Sequence, residues 1–143
     1  DAAEPGPPLT PTASRQGAIV ASNILGGDET FEPGAVPSVV FSDPPMASVG
    51  MGASAASRAG VEVITTDMDG WFTQSRLGYD IAGAKVVKTS DTGRILGAHV
   101  LGVNAEEIIN LFALAVSAGL TVDQMKAVLW AYPTATSDTK YLL

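Results

Sequence analysis

The chain has 143 residues, which suits one domain with a core of its own, and its 15 acidic and 8 basic residues give a formal net charge of −7. This balance leaves no basic stripe to neutralise phosphates, so the composition argues against nucleic acid binding. The sequence has no cysteine for disulfide or thiol chemistry, and no apolar run reaches the roughly 20 residues that a membrane-spanning helix needs.

The surface is predicted to be short of charge. Charged residues make up 16% of the chain, against about 25% in an ordinary soluble domain, and hydrophobic residues make up 46%. Either the surface is rich in Ser, Thr, Gly and Ala, or a partner covers part of it. The second interpretation is favoured because the apolar residues cluster late in the chain.

Residues 1–35 are predicted to form a loop, one helix and a linker. Prolines dominate residues 1–10, and Thr10 followed by Pro11 is typical of an N-cap and the first position of a helix. The helix should continue to about Leu25, where two glycines end it, and a polar linker follows.

Residues 36–143 are predicted to form a second domain of the α+β class. Apolar runs predict strands at residues 36–41, 61–68, 84–89 and 94–101. Helices are predicted at residues 53–59, 104–119 and 121–131, and capping-box pairs open the last two at Asn104–Glu107 and Thr121–Gln124. Residues 71–81 fit a loop, and residues 134–143 a mostly polar tail. This order predicts an antiparallel sheet covered by helices on one side.

The helix that begins near Asn104 is apolar around its whole circumference, and such a helix is expected to be buried on every side. One face can pack on the sheet, and either the last helix or a second subunit covers the other. The residues predicted to form a homodimer interface are Ile108, Ile109, Phe112 and Val116.

Five segments, in order, resemble the dimerisation domain of the FAD-dependent pyridine-nucleotide-disulfide oxidoreductases, the group of glutathione reductase and dihydrolipoamide dehydrogenase. They are residues 36–50 (VPSVVFSDPPMASVG), 93–102 (GRILGAHVLG), 104–110 (NAEEIIN), 120–125 (LTVDQM) and 131–134 (AYPT). The resemblance implies the α+β fold of that domain, and a parent enzyme with separate FAD- and NAD(P)-binding domains that uses FAD and NAD(P)H.

Upstream, Asp1-Ala-Ala and residues 9–17 (LTPTASRQG) are similar to the end of the family's FAD-binding domain. The resemblance implies that Asp1 contacts the ribityl chain of FAD, and that Leu9, Thr10 and Pro11 place a helix start beside the flavin. A helix start suits this role because its unpaired N–H groups favour electron density on the flavin. Taken without the resemblance, Thr10 and Pro11 indicate only an ordinary helix cap.

Tyr132 departs from the family pattern. Disulfide reductases of this family carry a His-Pro-Thr turn whose histidine, paired with a glutamate, acts in the partner's active site, whereas here Tyr132 takes the histidine position and Ser137 the glutamate position. Tyrosine is a poor base at neutral pH. Either the parent enzyme reduces something other than an ordinary disulfide or recruits its acid elsewhere, or Tyr132 fills the dimer seam as aromatic residues do. In each case Tyr132 and Pro133 should lie near the partner's flavin.

The sequence therefore predicts a dimerisation domain that completes the active site of its partner subunit. No catalytic residue is assigned, and no metal site is expected because His99 is the only histidine and fits a structural strand position. The chain alone should be inactive and should not bind FAD tightly. The start at Asp1 without Met suggests a fragment, no signal peptide is visible, and the expected location is cytoplasmic. The alternative is a free-standing module that binds a protein or small ligand.

Overall fold

The chain divides into two units, Asp1–Val36 and Pro37–Leu143. The computed structural model describes residues 6–143, apart from the side chains of Ala55 and Ala56. The helices are α1 (Thr10–Ile24), α2 (Phe72–Ser75), α3 (Ala105–Ala118) and α4 (Val122–Lys126), with 3-10 helices at Ala53–Ser57 and Ala135–Tyr141. The strands are β1 (Ser38–Val40), β2 (Met46–Gly50), β3 (Val61–Asp67), β4 (Gly83–Thr89) and β5 (Ile95–Leu101). The α+β class predicted from the sequence is confirmed.

The first unit is built around α1, whose N-cap is Leu9 rather than the predicted Thr10. Leu9 is extended, with φ −126° and ψ 147°, and its side chain makes no capping hydrogen bond. Thr10 is already helical, and Pro11 fits the first turn because its fixed φ matches the helix. In the last turn of α1, the Asn23 side chain donates to the Glu29 carbonyl at 2.9 Å and accepts from the Glu29 N–H at 2.8 Å. These two hydrogen bonds connect the linker to the end of the helix.

The second unit contains a five-stranded antiparallel sheet in the order β1-β2-β5-β4-β3. The sequence patterns predicted four of these strands and missed β2. This strand is short and contains Ser48 and Gly50, which are not strong strand formers. Its alternation shows in burial, because Ala47 and Val49 are buried while their neighbours are not.

One face of the sheet forms the core together with α3, which contacts β5 and β2. The buried hydrophobic residues of the strands are Ala47, Val49, Ala84, Val86, Val87, Ile95, Ala98 and Val100. Gly97 allows β5 to approach the chain that follows β2, since a Cβ at Gly97 would lie 2.3 Å from the Met51 carbonyl oxygen. The core therefore depends on small side chains where strands and helix meet.

Helix α3 packs into the core of its own chain. Ile108, Ile109 and Phe112 are each at most 1% exposed. Burial of this degree within one chain favours a core role, and the prediction that these residues contact a partner stays a prediction. Val116 is only half-buried, and the prediction for it stands untested. Leu114 is 64% exposed, so the helix is not buried on every side as its composition predicts.

The residues after Pro133 form a 3-10 helix instead of the predicted polar tail, and this 3-10 helix contacts α3. The final residues Leu142 and Leu143 are buried. Helix α4 is correspondingly shorter than predicted and ends at Lys126. The C-terminal segment, residues 134–143, therefore buries part of the α3 surface that the sequence assigns to a second subunit or to the last helix.

Of the two predicted capping boxes, one is confirmed. Thr121 Oγ1 accepts from the Gln124 N–H at 3.2 Å, and Gln124 Oε1 accepts from the Thr121 N–H at 2.9 Å. Asn104 precedes α3 in the left-handed region, with φ 58°, and makes no side-chain cap. Asparagine tolerates this conformation, so Asn104 serves the turn into the helix rather than a box with Glu107.

Candidate functional site

The predicted flavin contacts of the chain's own subunit lie at the start of α1. Thr10 and Pro11 are exposed and Leu9 is half-buried. Because Leu9 has no side-chain oxygen, the N–H groups of Thr10 and Thr12 find no acceptor in the N-cap side chain. Such a helix start can receive an electronegative group, which fits the edge of a flavin. Asp1, the predicted ribityl contact, lies outside the described residues.

Tyr132 and Pro133 occupy an exposed loop between α4 and the C-terminal 3-10 helix. Their peptide bond is cis, and Tyr132 is 81% exposed. Thr134 fixes the C-terminal end of the loop. Its hydroxyl donates to the Ala131 carbonyl at 2.7 Å and accepts from the Ser137 N–H at 3.1 Å. The loop is thus fixed by local capping while the Tyr132 side chain remains accessible.

Among residues 6–143, no carboxylate is hydrogen-bonded to Tyr132. Ser137, at the glutamate position of the resembled family, is buried, and its hydroxyl donates to the Thr134 carbonyl at 2.6 Å. The carboxylate of Asp138 accepts from the Thr73 hydroxyl at 2.5 Å. Within residues 6–143 the Tyr132 hydroxyl has no hydrogen-bond partner, so it is free to donate to a group outside the chain. A base role would lack the acidic partner that usually orients it.

Large apolar side chains remain on the surface around this loop. Leu129 is 98% exposed, and the other members are Val128, Tyr132 and Tyr141. We call these four residues the C-terminal patch. Sequence reasoning missed the patch because residues 128–130 fall inside the last predicted helix, where apolar residues are expected to be buried. The signal was available as three successive apolar residues just before the Tyr-Pro turn.

The C-terminal patch forms part of a cleft of about 300 Å³. We call it the C-terminal cleft, and its lining residues are Lys126, Val128, Leu129, Trp130, Tyr132, Ser137, Lys140 and Tyr141. The lining combines lysine ammonium groups, aromatic rings and aliphatic side chains. Such a mixture can hold a ligand that has both a charged and an apolar part.

A second groove, of about 380 Å³, lies on the sheet and is mostly apolar. His99 lines it, and His99 Nε2 is 3.2 Å from the Met51 carbonyl oxygen, which agrees with the structural role expected of this residue. In the described part of the chain no group of His, Cys, Asp or Glu could hold a metal ion, and no helix is long and apolar enough to cross a membrane.

The shifted pKa values lie away from the C-terminal cleft. The Tyr79 hydroxyl donates to Asp43 at 2.5 Å, and this hydrogen bond raises the pKa of Tyr79 above its ordinary value. The Lys88 ammonium group, hydrogen-bonded to Glu62, lowers the pKa of that carboxyl. Neither pair lines the cleft, so these charges hold the loops and the sheet together rather than serve a site.

Residues 36–142 match the family described as "Pyridine nucleotide-disulphide oxidoreductase, dimerisation domain". The match covers most of the chain, and the protein belongs to this family. The resemblance seen in the five sequence segments is confirmed.

The chain is 41% identical over 145 residues to the "Uncharacterized 19.7 kDa protein in mercuric resistance operon" of Staphylococcus aureus, a match that covers 99% of the chain and 81% of that protein. It is 34% identical to a dihydrolipoyl dehydrogenase of Geobacillus stearothermophilus, over 91% of the chain and 28% of the relative. It is 33% identical to a mercuric reductase of Streptomyces lividans, over 94% of the chain and 29% of the relative.

Among solved structures, the chain resembles the Cu(II) complex of the HOCl-induced flavoprotein disulfide reductase RclA from Escherichia coli. The TM-score is 0.85 at 26% sequence identity, and the match covers 96% of the chain and 32% of RclA. The chain therefore spans less than a third of RclA and of the two enzymes above.

Proposed function

We propose that the Pro37–Leu143 unit pairs with a second copy of itself through the C-terminal patch, and that the pair serves an oxidoreductase that uses FAD and NAD(P)H. The observation that carries this proposal is the match of residues 36–142 to a dimerisation-domain family. The patch supplies a surface on which such pairing can take place.

The physical support is the exposure of the C-terminal patch. Leu129, Tyr132 and Tyr141 are each more than half exposed, although apolar and aromatic surface is stabilised by removal from water. Aromatic residues are enriched at the centres of interfaces. Around a twofold axis the patch of one subunit contacts the same patch of the other, so both copies of each apolar residue are buried in the dimer.

Sedimentation equilibrium of the 143-residue chain tests this proposal. We expect a dimer at micromolar concentration, because the patch is apolar and continuous with the family's active-site turn. A chain that sediments as a monomer throughout this range would contradict the homodimer. The Pro37–Leu143 unit would then have to pair with a different protein.

In this arrangement Tyr132 and Pro133 face the flavin of the partner subunit. The exposed hydroxyl of Tyr132 is free to donate a hydrogen bond to a group across the seam. The absence of a carboxylate beside it, among the described residues, favours a donor or filler over a histidine-like base.

Within its own subunit the chain supplies only one side of the FAD site. Asp1, Leu9, Thr10 and Pro11 would contact the flavin and its ribityl chain, while the FAD- and NAD(P)-binding domains hold the rest of the cofactors. A cytoplasmic location goes with this proposal, because NAD(P)H must reach the enzyme. We expect the chain alone to bind FAD weakly, and a flavin fluorescence titration that saturates below micromolar FAD would refute this.

The electron acceptor is proposed to be mercuric ion rather than an organic disulfide. Tyr132 stands where the disulfide reductases have their histidine, one relative lies in a mercuric resistance operon, and another is a mercuric reductase. The chain has no cysteine, so thiolate ligands would come from other parts of the enzyme. NADPH oxidation by the full-length enzyme should be faster with mercuric ion than with lipoamide, and the reverse order would exclude this acceptor.

A second candidate is a free-standing module, and the 19.7 kDa mass of the Staphylococcus aureus relative favours it. Immunoblotting of the source cells with an antibody to this chain distinguishes the two. A band near the mass of this short relative supports the module, and a band about three times the mass of the chain supports the enzyme.

A further inference from the structure

The C-terminal cleft is positive in an acidic chain. None of its lining residues is acidic, and two are lysines, Lys126 and Lys140, although the formal net charge of the chain is −7. The groove on the sheet has a single lysine, Lys85. The C-terminal cleft is therefore a local reversal of charge, and such a concave site attracts anions.

Neither cleft lysine is neutralised by a carboxylate. The ion pairs among the described residues are Arg15–Glu29 and Lys88–Glu62. Lys140 Nζ lies 4.7 Å from the centre of the Tyr141 ring, a contact that leaves ammonium protons free to donate. Two ammonium groups lining one cleft repel each other, and an anion bound between them would remove this repulsion.

The wall of the cleft is aromatic and holds unused donors. Trp130, Tyr132 and Tyr141 line it, and the indole N–H of Trp130 is buried without an acceptor. Buried indole N–H groups usually have a hydrogen-bond partner. The rings that line the cleft would cover the apolar part of a ligand, so the indole of Trp130 would report its binding.

We propose that the C-terminal cleft binds a small organic anion, in which a carboxylate or phosphate group is attached to a flat apolar body. Lys126 and Lys140 hold the anionic group, and the aromatic side chains pack on the body. The volume of about 300 Å³ suits a ligand at the small end of the usual range. The proposal goes beyond dimerisation, because it requires only residues of one chain.

Phthalate is a suitable probe, because it joins two carboxylates to one ring, and tryptophan NMR gives the readout. The chain has two tryptophans, so a ¹⁵N-tryptophan sample shows two indole signals, which the Trp71→Phe variant assigns. We expect the Trp130 signal to shift with saturation as phthalate is added. Inorganic phosphate should bind more weakly, because it cannot use the aromatic wall, and benzamide should bind more weakly, because it carries no charge.

Charge variants identify the lysines responsible. Lys126→Gln and Lys140→Gln should each weaken phthalate binding about three- to fivefold, since each removes one partly screened charge. The Lys85→Gln variant is the matched control, because it removes an exposed lysine from the other groove and should leave the affinity unchanged. Added salt should weaken binding to the unmodified chain more than to the double variant.

The outcomes separate this site from the dimer. Because Leu129, Tyr132 and Tyr141 belong to both the patch and the cleft, the titration is run at protein concentrations below and above the dimer threshold found by sedimentation. Saturable binding below the dimer threshold that is lost in the double lysine variant supports the site, and weaker binding above the threshold is expected because the proposed seam covers the same residues. Unsaturable shifts, equal loss in Lys85→Gln, or equal affinity for inorganic phosphate would each overturn it.

Discussion

Leu129→Glu is expected to convert the dimer into a monomer. Leu129 is 98% exposed in the single chain and lies within the C-terminal patch, so a twofold contact would bury it on both subunits. The substitution removes an apolar side chain from each side of that contact and places two carboxylates there, a loss that the exposed ammonium groups of Lys126 and Lys140 only partly offset. We expect the dimer dissociation constant to rise at least about 100-fold, or about 2.7 kcal/mol, as measured by sedimentation equilibrium.

Leu114→Glu provides the matched control for this prediction. Leu114 is also an exposed leucine, at 64%, but it lies on α3. If the patch is the seam, this variant should remain dimeric. Dissociation by Leu114→Glu with a stable Leu129→Glu dimer would instead move the seam to the exposed side of α3, close to where the apolar composition of the helix places it.

The elements that could be predicted from sequence are those whose pattern is local. Strands β3, β4 and β5 are rich in Val, Ile and Thr and are bounded by turn residues, and helices α1 and α3 have glycines at their ends. Strand β2 was missed because its assignment depends on pairing with β1 and β5 rather than on its own residues. The first of the five family segments, residues 36–50, nevertheless contains β2, so the resemblance predicts the fold even where the strand pattern does not.

The interface was harder to predict from sequence. Apolar composition indicates that a side chain should be buried, but it does not indicate whether the same chain or a partner buries it. Phe112 needs cover, and its own unit provides it. The segment Ala135–Tyr141 looks polar in sequence, yet it forms a 3-10 helix against α3, opened by the Thr134–Ser137 capping box. Conversely, Leu129 looks like a helix residue and is exposed, because α4 ends at Lys126. Both errors arise because α4 ends at Lys126, earlier than the sequence predicts.

Phe112→Ala is expected to destabilise the folded unit rather than to separate subunits. The side chain is fully buried, and removing a buried phenyl group leaves a cavity. We expect a loss of about 3–5 kcal/mol in the free energy of unfolding. Urea denaturation followed by tryptophan fluorescence measures it, and the Leu129→Glu background keeps the measurement free of association.

Phe41→Ala is the control for this substitution, because Phe41 is 82% exposed and its loss should change the free energy of unfolding by less than about 0.5 kcal/mol. In the background that retains Leu129, Phe112→Ala molecules that remain folded should still dimerise. A variant with nearly normal stability but no dimer would show that α3 meets a second subunit after all. Phe112→Ala, compared with Phe41→Ala, therefore decides whether α3 is a core element or part of the dimer interface. A core role predicts a change in the free energy of unfolding, and contact with a partner predicts a change in the dimer dissociation constant.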